Sequence, residues 1–389
     1  MTKKMLGLAL GAALIAAPAF AADKLKIGFM ATLSGPPAAI GQHVHDGFML
    51  AVEELGGKLG GLPTEVLKQD DQLKPDVGVQ IVNDFIKRDQ VHLITGMIFS
   101  NVMMAVYKPI IDSKTFVISA NAGPSPIAGN LCSPYFFASS WQNDQTHSAV
   151  GKYMQDKGIK NAFLIAPNYQ AGKDSIAGVQ RFYKNPTAGV LYVPLNQTDF
   201  AAELSQIRAA KPDAVFSFFP GGLGVAFVKQ YAQAGLIKEV PLYSAFTIDW
   251  TNLAAIGDAA VGTFHASFWA ADLDNPANKK FVAAFRQKYS KEPEMYSAQG
   301  YDAALMIDAA VKAVKGKVED HDAFRAALRK NEIASVRGPF KFNNNHFPIQ
   351  NFYLREVVKG ADGKLQIASR GIALKDDKDA YSGECPMKW

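Results

Sequence analysis

The chain has 389 residues, 48% of them hydrophobic and 20% charged, with a formal net charge of +5. That length exceeds what one ordinary core supports and points to two α/β lobes. The mild charge, with no basic cluster, gives no reason to expect a nucleic-acid partner.

Residues 1–21 read as a cleaved secretory leader. Lys3 and Lys4 precede an apolar run over residues 5–17, and Ala19-Phe20-Ala21 is a small-residue cleavage site. The run is shorter than the ~20 residues that span a bilayer. Loss of two lysines and no acid leaves +3 on the mature chain. No later run is long and apolar enough to span a membrane, so a soluble product is expected.

Residues 25–31 predict the first strand, leading into a rigid turn at Thr32–Pro37. A helix from Gly41 carries Val44, Phe48, Ala51, Val52 and Leu55 on one face and stops at Gly56-Gly57. A strand over 64–69 and a helix over 75–88 follow, the latter opened by Pro75. The runs at 91–95 and 115–119 are apolar and rich in β-branched residues, as buried parallel strands are. The first ends in Gly96 with Phe99, Ser100 and Asn101, the second in Ala120, Asn121, Ala122 and Gly123. Ligands of open α/β sheets sit beyond the carboxyl ends of the strands. The turn at Ser100 also opens a helix, whose N-terminal amides suit a carboxylate.

From about Pro134 the pattern resets. A polar link, Trp141-Gln142-Asn143-Asp144-Gln145, leads to helices over 144–156, 173–183, 199–209 and from Gly222 to Ala234. They alternate with strands over 162–166, 190–194, 214–219 and 242–245. After Gly262 the chain crosses back: an extended stretch at 263–269, helices over 278–289, 296–315 and 322–329, then late strands at 338–342 and 351–358. The expected architecture is α/β, with Rossmann-like lobes built on parallel-sheet cores and joined by a multi-strand hinge. The expected boundaries are 22–141 plus about 270–340 for the first lobe, 142–269 plus about 341–370 for the second, and a tail over 371–389. In an oxidising compartment Cys132 and Cys385 are expected to bond and pin the tail to the body, the alternative being two unpaired buried thiols.

No catalytic or metal-binding pattern stands out. His43 and His45 are two apart, and such positions face different sides of a helix. The remaining histidines are scattered, with no H-E-x-x-H or G-x-S-x-G motif. The turn Pro220-Gly221-Gly222-Leu223-Gly224 lacks the order of a phosphate loop and reads as a helix cap. Neither an enzyme, a cofactor nor a metal is expected.

Several local motifs, in order, carry a resemblance. They are Ile27-Gly28 with Leu33-Ser34-Gly35-Pro36 and Gly41; Ala51-Val52-Glu53-Glu54; Asp70-Asp71; Gly96 with Ser100; and the stretch from Ala120 to Pro124. Asp199-Phe200, Lys211-Pro212-Asp213-Ala214-Val215, Tyr301-Asp302-Ala303-Ala304 and Gly338-Pro339-Phe340 continue the series. Over nearly the whole mature chain this resembles the periplasmic substrate-binding proteins of branched-chain amino acid-type ABC transporters, which have the type I periplasmic-binding fold. The resemblance implies a monomer in the periplasm that carries a small carboxylate to a membrane permease. It implies that the carboxylate rests on Ser100 and on backbone N–H groups of the Asn121–Ala122–Gly123 turn. Gly123 stands where the family commonly has a hydroxyl residue, so Asn101 or Asn121 is expected to take over. The second lobe would cover the ligand at Tyr169, Gly221 and Phe246, with Tyr296 against it. Ile40 stands where the first loop often carries an aromatic residue.

Amino-acid binders of this family need an anion for the ligand's ammonium group, because an unpaired buried charge costs several kcal/mol. The corresponding segment here is Ala245-Phe246-Thr247, and the nearest acid is Asp249. Phe99, Trp141, Tyr169, Phe246, Trp269 and Tyr296 crowd the expected cleft. An apolar-walled cleft with anion-binding turns suits an aromatic acid of benzoate or phenylpropenoate type. The Trp141–Asp144 link and the late cysteine resemble the branch of the family associated with such acids. The alternatives are a branched-chain amino acid or amide binder, or a sensor that delivers its ligand to a receptor.

Overall fold

The computed structural model describes residues 23–388. The expected leader and Trp389 lie outside the described residues. The chain opens with β1 (Leu25–Ala31), α1 (Ala38–Glu54), β2 (Lys58–Leu59), β3 (Leu62–Asp70), α2 (Pro75–Lys87), β4 (Leu93–Gly96), α3 (Ser100–Asp112), β5 (Phe116–Ser119), α4 (Ser125–Ala128) and β6 (Phe136–Ala138). These strands form one sheet in the order β2-β3-β1-β4-β5-β6, parallel except for the β2–β3 hairpin. Every residue of β4, β5 and β6 is buried. Helices cover both faces of such strands, which is why their sequences read as unbroken apolar runs. Strand β3, which beyond β1 is flanked only by the two-residue β2, is only half-buried and carries charge.

The second run holds α5 (Asn143–Asp156), β7 (Ala162–Pro167), α6 (Gln170–Phe182), β8 (Thr187–Val193), α7 (Ala201–Ala210), β9 (Ala214–Ser217), α8 (Gly222–Gln233), α9 (Leu236–Glu239), β10 (Leu242–Ser244), α10 (Leu253–Ile256) and β11 (Phe264–Ser267). The chain then returns to the first lobe as α11 (Pro276–Tyr289), α12 (Met295–Ala313) and α13 (His321–Lys330). Helix α12 lies hard against α1. A Cβ on Gly47 would come 1.9 Å from the Ser297 carbonyl oxygen, and one on Gly300 2.1 Å from that of Val44. Only bare backbones fit this crossing, so the returning segment is seated on the first lobe.

The last run is β12 (Lys341–Phe342), β13 (Pro348–Lys359) and β14 (Leu365–Asp377). The second sheet has the order β12-β13-β11-β10-β9-β7-β8, with β14 on β13, and β13 runs antiparallel to both β11 and β14. The fold is α/β, with two parallel-cored lobes. Two local expectations need correction. Residues 371–377 belong to β14 and are not tail, because their backbone pairs with β13 through register shifts that the sequence does not signal. The α10 helix and a 3-10 turn over Gly257–Ala260 fill a stretch where the sequence pattern predicts no element.

Three connections cross between the lobes, after β6, after β11 and after α13. Arg337 binds all three. Its Nη1 donates to the Ser140 carbonyl (3.0 Å) and to Gln350 Oε1 (2.7 Å), its Nε to Asp302 (3.0 Å), and its Nη2 to the Ser139 carbonyl. Its guanidinium lies between the rings of Phe268 and Phe340, 4.5 and 4.4 Å from their centroids. The side chain is buried, so the ion pair and these hydrogen bonds offset its desolvation. Beyond β14 the chain crosses once more. Gln145 and Arg181 hold Asp377 at this crossing, and Asn345 holds Asp379. A disulfide then joins Cys385 to Cys132 of the first lobe.

Candidate functional site

The carboxyl ends of both sheets face each other across the hinge. In the first sheet the chain steps from β1 out to β3 and back to β4 on the other side, which opens a crevice between β1 and β4. The second sheet does the same between β7 and β9. The turns that follow these strands enclose a small cavity of about 30 Å3.

Of the residues expected from sequence, Ile40, Phe99, Ser100, Asn121, Ala122, Trp141, Tyr169, Phe246 and Tyr296 line this cavity. Asn101, Gly123 and Gly221 are not among its lining residues. Asn101 is the second residue of α3, one step past the rim. Gly221 has φ +63 and caps α8, and the neighbouring Pro220 forms the wall instead. Trp269 is also absent. It is buried among other core residues, with its indole N–H on Asn278 Oδ1 (2.7 Å) and its ring against Phe281. The preceding Phe268 is the one that packs on Trp141, 5.3 Å between centroids.

Ser100 is the first residue of α3, so its amide and the next two have no acceptor within the helix. Its hydroxyl oxygen accepts from Asn143 Nδ2 at 3.0 Å, which leaves the hydroxyl proton for another acceptor. The second turn behaves differently from expectation. The Ala122 N–H donates to the Met97 carbonyl (2.9 Å) and the Gly123 N–H to Asn143 Oδ1 (3.0 Å). Those amides are therefore committed within the protein. Asn121 is committed too: its Nδ2 donates to the Ile98 carbonyl and its Oδ1 accepts from Gln299, both at 2.6 Å. A side chain at Gly123 would meet the Trp141 carbonyl at 2.1 Å, so this backbone has no room for a hydroxyl residue at that position.

Asn143 carries no role in the sequence-based expectation, yet it ties the site together. It reaches Ser100, Gly123 and, through Nδ2, Asp174 Oδ2 of the second lobe (2.8 Å). Asp174 also takes the Ser125 hydroxyl (2.7 Å), the Ser125 N–H (3.1 Å) and Gln170 Nε2 (2.9 Å). Burial raises the Asp174 carboxyl above its ordinary range, against the pull of these hydrogen bonds. Asn143 is positioned by the first turn of α5, where Gln142 and Gln145 form a capping box.

The rest of the cavity is aromatic. Trp141 lies 5.0 Å from Phe246, Phe246 5.8 Å from Phe218, and Phe218 stacks on Tyr169 at 6.2 Å. His147 sits among them, 4.9 Å from Phe218 and 5.4 Å from Phe246. Burial pushes its imidazole down to about 3, so it is neutral at physiological pH. Sequence reasoning misses Phe218 and His147 as well, for the inward phase of a strand end or a helix turn is not fixed by residue type. Phe246 has φ +60, a strained conformation for a bulky side chain, held while its neighbour Thr247 bonds back to Ser217 and Phe219.

Among the described residues, no carboxylate lines the cavity. Asp249 stands behind Tyr296, whose hydroxyl donates to Asp249 Oδ2 at 3.2 Å. Burial, and then Glu294 beside it, push the Asp249 carboxyl up to about 7. Glu294 in turn pairs with the buried Arg355 at 2.8 Å. The lobes meet at both ends of the cleft. Tyr296–Asp249 and Ser125–Asp174 bridge it, and the Gly222 N–H donates to the Pro36 carbonyl at 3.2 Å.

Comparison with known proteins fits this geometry. A solute-binding protein of an R. palustris ABC transporter, solved in complex with benzoate, is 33% identical and superposes with a TM-score of 0.88, over 94% of this chain and all of that one. A second R. palustris solute-binding protein, in complex with 4-hydroxybenzoate, is 29% identical with a TM-score of 0.86, over 92% of this chain and 98% of that one. The Brucella melitensis protein called Leu/Ile/Val-binding protein homolog 6 is 28% identical, over 93% of this chain and 94% of its own length. Residues 24–364 match the family described as periplasmic binding protein, and the chain belongs to that family.

Proposed function

We propose that this protein is an extracytoplasmic solute-binding protein that closes its lobes on a small aromatic carboxylate and presents it to a membrane permease. The observation that carries the reading is the lining of the cleft: aromatic walls, a hydroxyl at a helix N-terminus and, among the described residues, no carboxylate. The ligand's carboxylate docks at Ser100 and the free amides that open α3, where the helix dipole favours an anion. The ring lies between Trp141, Tyr169, Phe218 and Phe246. Among the described residues, a ligand ammonium would find no carboxylate at the wall, since Asp249 is screened behind the Tyr296 hydroxyl and burial raises its carboxyl. Benzoate and 4-hydroxybenzoate in the two R. palustris relatives support the same ligand class.

The mechanism is a clamp. A cavity of about 30 Å3 has room for a water or two, so a ring enters only when the lobes part. Contacts made only on closure then shift the population to the closed form. The leader over residues 1–21 would take the protein to the periplasm, where it acts as a monomer, without cofactor and without catalysis.

The test is a thermal-shift screen of the purified protein after unfolding and refolding to remove carried ligand. A ligand at about a thousand times its Kd adds roughly 4 kcal/mol of stability. Shifts with benzoate or cinnamate and none with leucine or valine are expected. Shifts with leucine or valine alone would assign the cleft to amino acids, with Asp249 as the ammonium partner.

A further inference from the structure

A second cavity, of about 190 Å3, lies at the mouth of the cleft. Pro36, Pro37 and Leu73 of the first lobe face Leu195, Leu223 and Ala226 of the second across it. Asn196, Gln197 and Thr198 rim it. Phe99 and Pro220 line both this cavity and the inner one, so the two spaces are separated by one aromatic ring and one proline ring. The outer space is larger and mostly apolar, whereas the inner one is tight and holds the hydroxyl of Ser100.

The outer wall is built, not incidental. Gln72 and Leu73 have φ +54 and +61, left-handed conformations that non-glycine residues rarely adopt. The carboxylates of Asp70 and Asp71 hold them there by accepting the Gln72 and Leu73 N–H groups at 2.9 and 2.8 Å. Asp71 is itself held by the Thr32 hydroxyl at 2.6 Å. Opposite, a Cβ on Gly222 would lie 2.8 Å from Pro36 Cβ, so the lobes touch at the edge of the cavity. The space therefore exists only with the lobes closed, and whatever fills it favours closure.

We propose that this mouth cavity is a second subsite of the cleft. It takes the apolar far end of an aryl carboxylate longer than benzoate, whose carboxylate remains at Ser100 and whose body passes between Phe99 and Pro220. The inference rests on the aromatic-acid reading given above. It predicts that an apolar group on the ring, opposite the carboxylate, raises affinity.

Isothermal titration of the refolded protein with benzoate and with 4-propylbenzoate tests it. Each fully buried methylene is worth about fourfold in affinity, so a partly buried propyl group should tighten binding about tenfold or more. Leu223→Gln should remove that gain while leaving benzoate within about twofold. Leu195→Gln, on the more exposed wall, provides the same comparison if Leu223→Gln lowers the folded fraction. The subsite is overturned, with the function intact, if benzoate binds and 4-propylbenzoate binds no tighter. It is overturned as well if the variants weaken both acids alike. Binding of neither acid overturns the function and the subsite together. Binding of 4-propylbenzoate alone supports the subsite and restricts the ligand to the longer acids.

Discussion

Ser100→Ala isolates the anchor of the first lobe. The serine hydroxyl is buried, accepts from Asn143 and has its proton left to give. A hydrogen bond from it to a ligand carboxylate is charge-assisted, worth about 1.5–3 kcal/mol. At about 1.4 kcal/mol per tenfold, its loss weakens binding roughly 10- to 100-fold. The fold should survive. The substitution orphans one N–H of Asn143, at a cost of about 1 kcal/mol, while Asn143 keeps its bond to Asp174. Isothermal titration of the refolded variant with benzoate, beside a melting curve, separates the two effects. The loss should be alike for every carboxylate the protein binds, because it concerns the shared end of the ligand. A Kd within about twofold of the parent, in a variant that melts normally, would remove Ser100 from the binding site.

Three further outcomes follow from the same geometry. Tyr169→Ala removes a ring that stacks on Phe218, and should weaken benzoate about tenfold while changing an aliphatic acid such as hexanoate much less; equal losses would contradict an aromatic wall. Asp249→Asn should gain stability relative to the parent as pH rises from about 4 to 7. The native carboxyl, raised to about 7, holds its proton more tightly than the unfolded one, so the parent loses stability over that window. Urea titrations at both ends of the window should show the difference, and parallel pH dependence of the two proteins would refute it. Replacing Cys132 and Cys385 by serine together opens a loop of 253 residues and should cost about 2–5 kcal/mol in the same assay; unchanged stability would mean the tail strap holds without its bond.

Much of the architecture was legible because central parallel strands are buried on both faces. The runs ending at Gly96 and Ser119 could be read as strands, and the turns after them as a ligand-facing rim, from composition and position alone. Hydrogen-bond commitment was not legible. The Ala122 and Gly123 amides looked available for an anion, yet Met97 and Asn143 take them, and nothing local in the sequence announces partners so distant. Strand phase was the other gap. Alternation says that Phe268 and Trp269 face opposite ways, but only the packing decides that Phe268 meets Trp141 and Trp269 meets Phe281. Asn143 and His147 lie on a helix whose residues from Asn143 to Gly151 are all buried, so no polar face marked them out. The absent acid at Ala245–Thr247 was visible from sequence. That Tyr296 screens Asp249 was not.

The bridge between Cys132 and Cys385 also constrains the order of events as the protein is made. Synthesis runs from the N-terminus, and 253 positions separate the two cysteines. The chain has no other cysteine, so Cys132 has no intrachain partner until all of β7 to β14 has been produced. Throughout that interval it is an uncommitted thiol, open to exchange with small disulfides or with a disulfide of another chain. In the folded protein the bridge holds the tail beyond the last strand of the second lobe along the first lobe. Oxidation of this one pair is thus a chemical record that synthesis has passed Cys385, and a non-reducing gel separates bridged molecules from those whose Cys132 is still free or captured elsewhere.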